Sequence, residues 1–380
     1  MTKTIAKKIF PGAVTSKGFY SYYDYIIEPG ALHIFVIKGG PGVGKSTFMK
    51  KIAENISKIG YDIEYHCCSS DNDSIDGLVI PALGIALLDG TAPHIVDPKN
   101  PGAVDEIINL GEYWNENIIQ KAKPEIMRCN YQVGRYFQAA YYALLEAKIA
   151  MDEWEFYVKD HQNWHAINQM TLSVENDLFN SCNAGQGVER HLFAWAHTPQ
   201  GKTQHIDTLL QDISTLYLLK GQPGTGKSTF LNRIAERAIT YGLKTEYFHS
   251  TLDPAKLDLI ILPDLQKAMC VVSEPYEYIP QLNCNQITLD FDQSVNMAGL
   301  ANFSSDIEDC CERVNKNIQR AIKNSSRAKA THDLMETYYV AAMDFQAIER
   351  KRQEIEMRIH NMIELEVAVS STGTFSPKKC

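Results

Sequence analysis

The sequence predicts an α/β fold built twice: a duplicated P-loop NTPase fold, each copy a parallel sheet with flanking helices and a long helical hairpin extension. Three observations carry this expectation. The stretch Gly39-Gly40-Pro41-Gly42-Val43-Gly44-Lys45-Ser46-Thr47 fits the phosphate-cradling pattern G-x-x-x-x-G-K-[ST]. The same signature returns at Gly221-Gln222-Pro223-Gly224-Thr225-Gly226-Lys227-Ser228-Thr229. Around both, matching residues continue at a nearly constant offset, so the halves are copies of one unit.

The flanks of each motif are those the pattern needs. His33 to Lys38 reads as a buried parallel strand, and Phe48 to Ile59 as an amphipathic helix with Phe48, Ile52, Ile56 and Ile59 on one face. Leu216 to Lys220 and the run from Phe230 repeat this arrangement. An accidental match in a chain of this glycine content has a probability on the order of one percent, and two with matched flanks are far rarer.

Beyond the motif, Ile52-Ala53-Glu54 matches Ile234-Ala235-Glu236, Glu64-Tyr65 matches Glu246-Tyr247, and Asp71, Asp76 and Pro81 match Asp253, Asp258 and Pro263. Upstream, Ile9-Phe10, Thr15, Gly18 and Asp24 match Leu192-Phe193, Thr198, Gly201 and Asp207. A repeat this long is a duplicated domain, not a solenoid. The expected domains are residues 1–180 and 188–370, joined by the polar, glycine-containing seam 180–187 read as a flexible connection, with a disordered tail over 371–380.

Asp62 to Cys68 reads as a second strand and Ile85 to Asp89 as a third, with an acid at its C-terminal end. Open parallel sheets bind ligands at the carboxyl ends of their strands, which places Gly39 and Asp89 together. Past each compact core, Phe137, Ala140, Leu144, Ala147, Met151, Trp154 and Val158 form a heptad seam. Trp164, Ile167, Val174 and Leu178 follow as a helix that could return against it, and Ile348, Ile355, Ile359 and Met362 repeat the spacing in the second half. Asp152, Glu155 and Tyr157 match Asp333, Glu336 and Tyr338. Such helices either cover the sheets and pack the halves together or project as arms for a protein partner or self-association.

Composition narrows the partners. With 44% hydrophobic residues the 380-residue chain can bury two cores, and a net charge of −9 argues against a general affinity for nucleic acid. Nine cysteines without a C-x-x-C pair read as reduced thiols. The most apolar stretch, Leu78 to Leu88, is short for a membrane span and contains Pro81, so a soluble, cytoplasmic protein is expected.

The chemistry of the motif assigns roles. Backbone amides at a helix N-terminus cradle phosphates, so Gly39, Gly42, Gly44, Gly221, Gly224 and Gly226 let the chain approach the ligand. Lys45 and Lys227 reach the β/γ-phosphates, Ser46 and Ser228 ligate Mg²⁺, and Thr47 and Thr229 face the α-phosphate. Asp89 is the candidate carboxylate for the metal and, with Lys45, for catalysis. Val271 stands at the corresponding place in the second half, with Glu274 a substitute three residues on. Asp71 and Asp76 read as loop or helix caps ahead of catalytic groups, and His66 and His249 as packed histidines.

Without the guanine-reading N-K-x-D, ATP is the default nucleotide, and without L-S-G-G-Q nothing points to a transporter ATPase. The doubled G-x-P-G-x-G-K-S-T, together with Leu88-Asp89-Gly90-Thr91-Ala92-Pro93-His94, resembles an uncharacterised bacterial family of tandem P-loop proteins described as ATP-binding or nucleotide-kinase-like ATPases. The resemblance covers nearly the full length and implies the P-loop fold and ATP binding, without a substrate. The expected activity is Mg²⁺-dependent ATP hydrolysis, mainly in the first half, with a nucleotide or small-molecule kinase and a nucleotide-gated binding module as alternatives.

Overall fold

The computed structural model describes residues 4–28, 30–92 and 95–372. In the first half, β1 (Ala6–Ile9) precedes a hairpin of β2 (Gly12–Thr15) and β3 (Gly18–Ser21). Then come β4 (His33–Lys38), α1 (Lys45–Lys58), β5 (Ile63–Cys67), β6 (Ile75–Ile80), β7 (Ile85–Asp89) and β8 (Asp105–Asn109). A short α2 (Glu116–Lys121) leads into α3 (Lys123–Lys159) and α4 (Trp164–Phe179). The second half repeats the series as β9 (Val188–Phe193), β10 (Trp195–Thr198), β11 (Gly201–Gln204), α5 (Ile206–Leu209), β12 (Thr215–Lys220) and α6 (Lys227–Thr240). It continues with β13 (Lys244–His249), β14 (Leu257–Leu262), β15 (Lys267–Val271), β16 (Asn285–Asp290), α7 (Met297–Leu300), α8 (Ser304–Val340) and α9 (Phe345–Thr372).

Each half holds a six-stranded sheet of the same order, β1-β5-β6-β7-β4-β8 and β9-β13-β14-β15-β12-β16. The sheets are mixed, which corrects the expectation of parallel sheets. β6 runs antiparallel to both β5 and β7, as β14 does to β13 and β15. The linkers dictate this: residues 68–74 and 81–84 are too short for the crossover a parallel neighbour needs. The apolar stretch Leu78 to Leu88 is therefore two strands folded back at Pro81, with Gly84 in the left-handed region at φ 59 closing the turn. The carboxyl ends of β4, β5 and β7 and the start of β6 meet at one edge of the sheet.

The helix after β4 buries Phe48, Met49, Ile52, Ala53 and Ile56, as its spacing predicts, while Ile59 at its C-terminal cap stays half exposed. On α3, Ala140, Leu144, Ala147, Met151, Trp154 and Val158 of the heptad seam are buried.

The partner of that seam is α8 of the other half. Glu146 pairs with Arg320 at 2.5 Å and Glu153 with Arg313 at 2.6 Å, so the two long helices lie antiparallel. Between them sit Ala143, Ala147 and Ala150 of α3 and Val314, Ile318 and Ala321 of α8. The helix α4 does not return against α3; its Ile167, Val174, Leu178 and Phe179 share a core with Phe230, Leu231 and Ile234 of α6. In the mirror arrangement, Ile348, Ile355 and Ile359 of α9 share a core with Phe48, Ile52 and Ile56 of α1. The arms thus cross, and each half's terminal helix completes the other half's core. They cover the sheets and pack the halves together, the first of the two alternatives.

The crossing follows a local two-fold relation. Phe10 and Phe193, matching residues of the repeat, exchange backbone hydrogen bonds of 3.1 and 3.0 Å with each other. Beside them Arg190 donates to Glu64 at 2.6 and 3.1 Å and to the carbonyls of Tyr25 and Ile26, and lies 3.5 Å from Glu246. Burial opposes ionisation of Glu64, but Arg190 outweighs it and holds that carboxyl well below its ordinary range.

The seam 180–187 is not a free tether. Gly185 N donates to Thr240 O and Gly187 N to Ile239 O, and a Cβ on Gly187 would lie 2.5 Å from Leu243 O. Its glycines let the chain pass hard against the end of α6. Of the expected tail 371–380, the positions from 373 on lie outside the described residues, as do Pro93 and His94 after β7. The eight described cysteines form no disulfide, and among the described residues no helix is long and apolar enough to cross a membrane.

Candidate functional site

Each glycine loop joins the strand next to one edge of its sheet to a helix, β4 to α1 and β12 to α6. Gly42 and Gly44 adopt φ of 69° and 88°, and Gly224 and Gly226 of 85° and 99°, a left-handed conformation that favours glycine. The helices start at Lys45 and Lys227, so their first amides have no intrahelical partner at the mouth of the loop. The structure brings the predicted lysines, serines and threonines to these two mouths. Ser46 Oγ accepts from Ile75 N at 3.1 Å and Ser228 Oγ from Leu257 N at 3.3 Å, tying each to the first residue of the antiparallel strand.

The lysines curl back over their loops but meet different surroundings. Lys45 Nζ donates to Gly39 O at 3.0 Å and Gly40 O at 2.8 Å and lies 3.6 Å from Asp89 Oδ2. The other oxygen of Asp89 accepts from Thr91 N at 2.9 Å and from the Thr91 hydroxyl. Asp89 therefore stands at the lysine, where the acid at a strand end was expected.

In the second half Lys227 Nζ donates to Gly221 O, to Gln222 O at 2.8 Å and to Thr225 Oγ1 at 3.4 Å, with Val271 in place of the acid. Ser273, at the place of Thr91, instead donates to Gly221 O at 2.6 Å. Burial lowers the Lys227 pKa to about 8, opposed by the charges of Asp292, Glu155 and Asp258. The proposed substitute Glu274 lines the cavity in front of the loop, while the acids with the largest effect on Lys227 are Asp292, Glu155 and Asp258.

Asp258 is the acid that sequence reasoning undervalued. It follows Leu257, the residue tied to Ser228, and burial raises its pKa to about 7, against the pull of Ser250, Lys227 and Lys256. Its Oδ2 is buried without a hydrogen-bond partner among the described residues. Asp76 holds the matching place in β6 and is buried. The signal was available: this acid persists in both halves where the one at 89 does not. Asp71 and Asp253 behave as the loop caps expected, accepting from Asp73 N at 3.0 Å and Ala255 N at 3.2 Å. His66 is fully buried, and His249 bonds His191 and the Pro254 carbonyl, so both are packed histidines.

Crossing arms bring a further set of residues that no local pattern could place. The end of α3 lies on the second loop: a Cβ on Gly224 would stand 2.7 Å from Glu155 O, and Trp154 Nε1 donates to Gln222 Oε1 at 3.4 Å. The end of α8 lies on the first loop, with Glu336 and Val340 each 3.1 Å from a Cβ on Gly42. From these arms Lys148 reaches Asp253 (3.6 Å) and Lys329 reaches Asp71 (3.4 Å), matching residues at the two mouths. Arg128 and Arg135 of α3 are exposed. In front of the second loop a cavity of about 480 Å³ opens between Lys227, Ser228, Asp258, Lys148 and Trp164.

Set against models of protein families, curated proteins and solved structures, the chain matches none of them.

Proposed function

We propose that this chain binds two nucleoside triphosphates, ATP by default, with Mg²⁺, and that it hydrolyses nucleotide chiefly at the first loop. The observation that carries the reading is the pair of glycine loops, each delivering a lysine and a serine to a helix N-terminus at the carboxyl edge of a sheet. Free amides, a lysine and a helix dipole together suit a polyphosphate.

The donor set fits Mg²⁺, a hard cation that takes oxygen ligands. Ser46 with Asp89 or Asp76 would hold it in the first half, and Ser228 with Asp258, whose Oδ2 is an orphaned buried acceptor, in the second. The ion would neutralise charge on the β- and γ-phosphates. The chain's own groups orient the phosphates through the loop amides and place Lys45 or Lys227 beside them. Assignment of turnover to the first half rests on Asp89 beside Lys45, against Val271 beside Lys227.

No acceptor site among the described residues favours the kinase alternative, so ATP hydrolysis stands first. Titration calorimetry with ATP and Mg²⁺ should give two nucleotides per chain, Lys45→Ala and Lys227→Ala each removing one. No binding by the folded wild type would reject the reading.

A further inference from the structure

Helices α4 and α9 begin at matching places in the repeat, each directly after an arm, and each begins with an aromatic residue: Trp164 and Phe345. Neighbouring positions have diverged, with Asn163, His165 and Asn168 set against Asp344, Gln346 and Glu349. Both aromatics are left 44% and 45% exposed, although the first turn of a helix needs no large ring at its surface. Neither lies over its own half's loop. A Cβ on Gly226 would stand 2.9 Å from Trp164 Cζ3, and one on Gly44 3.8 Å from Phe345 Cε1.

Their position relative to the loops is specific. Trp164 borders the 480 Å³ cavity, whose lining also includes Gly226, Thr229, Asn232, Ser250 and Asp258. Phe345 borders a smaller cavity of about 210 Å³ with Gly44, Thr47, Lys51, Glu349 and Arg352. Thr47 and Thr229 are the residues that face the α-phosphate in the nucleotide reading, and the sugar and base continue from that phosphate. The indole is anchored at one edge, Trp164 Nε1 donating to Lys159 O at 3.2 Å.

We infer that each half's arm supplies the stacking platform for the base held at the other half's loop, Trp164 for the second loop and Phe345 for the first. Every base has a π-face, so an aromatic plate binds it with little sequence demand. Each nucleotide site is then incomplete without the opposite arm. This rests on the proposed nucleotide binding, and its ligand class is a purine nucleoside triphosphate.

The test compares ATP with inorganic triphosphate, which carries the phosphates without a base, on the full chain bearing Lys45→Ala so that the second site is read alone. ATP should bind more tightly than triphosphate and quench tryptophan emission, which triphosphate should not. Trp164→Ala should weaken ATP about ten- to hundredfold and leave triphosphate unchanged, while Trp164→Phe should keep the ATP affinity and lose most of the quench. In the Lys227→Ala chain, Phe345→Ala should do the same to the first site. Equal binding of ATP and triphosphate by the parent chain, or equal weakening of both by Trp164→Ala, would overturn the platform while leaving the phosphate loops standing. Failure of the folded parent chain to bind either ligand would overturn the nucleotide reading and the platform with it.

Discussion

The two glycine loops are nearly the same in sequence and in backbone, yet they hold their lysines differently. In the first, an acid at the end of β7 stands 3.6 Å from Lys45. In the second, Val271 and a redirected Ser273 leave Lys227 among carbonyls, with its pKa lowered to about 8 by burial against the opposing charges of Asp292, Glu155 and Asp258. A similar divergence marks the join of the halves, where Arg190 is buried against Glu64 and its counterpart in β1, Lys7, is only partly covered and lies 3.9 Å from Asp212. The two copies keep the same loop backbone while the charges around it differ, so one copy can specialise while the other supports it.

The largest expected effect lies at the join. Arg190→Ala leaves Glu64 and Glu246 buried without their cation, and breaking a buried pair this way costs about 3–5 kcal/mol, measured by denaturant unfolding. Because the folded-state pKa of Glu64 is depressed, its contribution is present above about pH 4.3, its unfolded value, and is lost as pH falls towards the folded one. The acid sensitivity of wild type should be blunted in Arg190→Ala. A loss no greater in Arg190→Ala than in Lys7→Ala would mean that the asymmetry of the join carries no stability.

Next come the lysines. Lys45→Ala should lower phosphate release about 10²–10³-fold, the usual cost of removing one preorganised charge-stabilising donor, and Lys227→Ala should leave a substantial part of it. The reverse outcome would move turnover to the second half.

Glycine substitutions test how tightly each arm sits. Alanine at Gly224 or Gly42 pays about 1–2 kcal/mol for the left-handed conformation. Gly224→Ala should lose more, because its Cβ meets the backbone of Glu155 at 2.7 and 2.9 Å where that of Gly42 meets Glu336 only at 3.1 Å. Equal losses in unfolding midpoints would show that the second arm yields as readily as the first.

The smallest effect concerns the metal acids. Asp89→Asn should weaken Mg²⁺-dependent turnover more than ATP binding, and Asp258→Asn should raise the Mg²⁺ needed for nucleotide binding at the second site about tenfold. An unchanged Mg²⁺ requirement in Asp258→Asn would remove Asp258 from the site.

Much of this was legible in the residues. The motif places each loop between a strand and a helix, and the buried faces of α1 and α3 follow their apolar spacing. Strand direction was not legible, because an apolar run such as Leu78 to Leu88 has no sense of direction until Pro81 and Gly84 are seen to reverse it. Nor was the crossing: a seam from Ala140 to Val158 says that a helix packs, and two copies of one pattern can be satisfied by their own half or by the other. Trp164, Phe345, Lys148 and Lys329 were invisible as site residues for the same reason. The signal of Asp258 in the sequence is not a distinct one, because an acid kept in both halves suits a loop or helix cap equally well.

The crossed arms also impose an order on the birth of the molecule. Ile52 and Ile56 leave the ribosome with the first sheet, yet Ile355 and Ile359, which close that core, are made about three hundred residues later. At the usual pace of synthesis, 5–20 residues per second, the first half waits roughly 15–60 s with an apolar flank open. The second half has no such delay, since α4 is already waiting when α6 emerges. The older segment is thus the last to be sealed, and it is the one that most needs protection while the rest of the chain arrives.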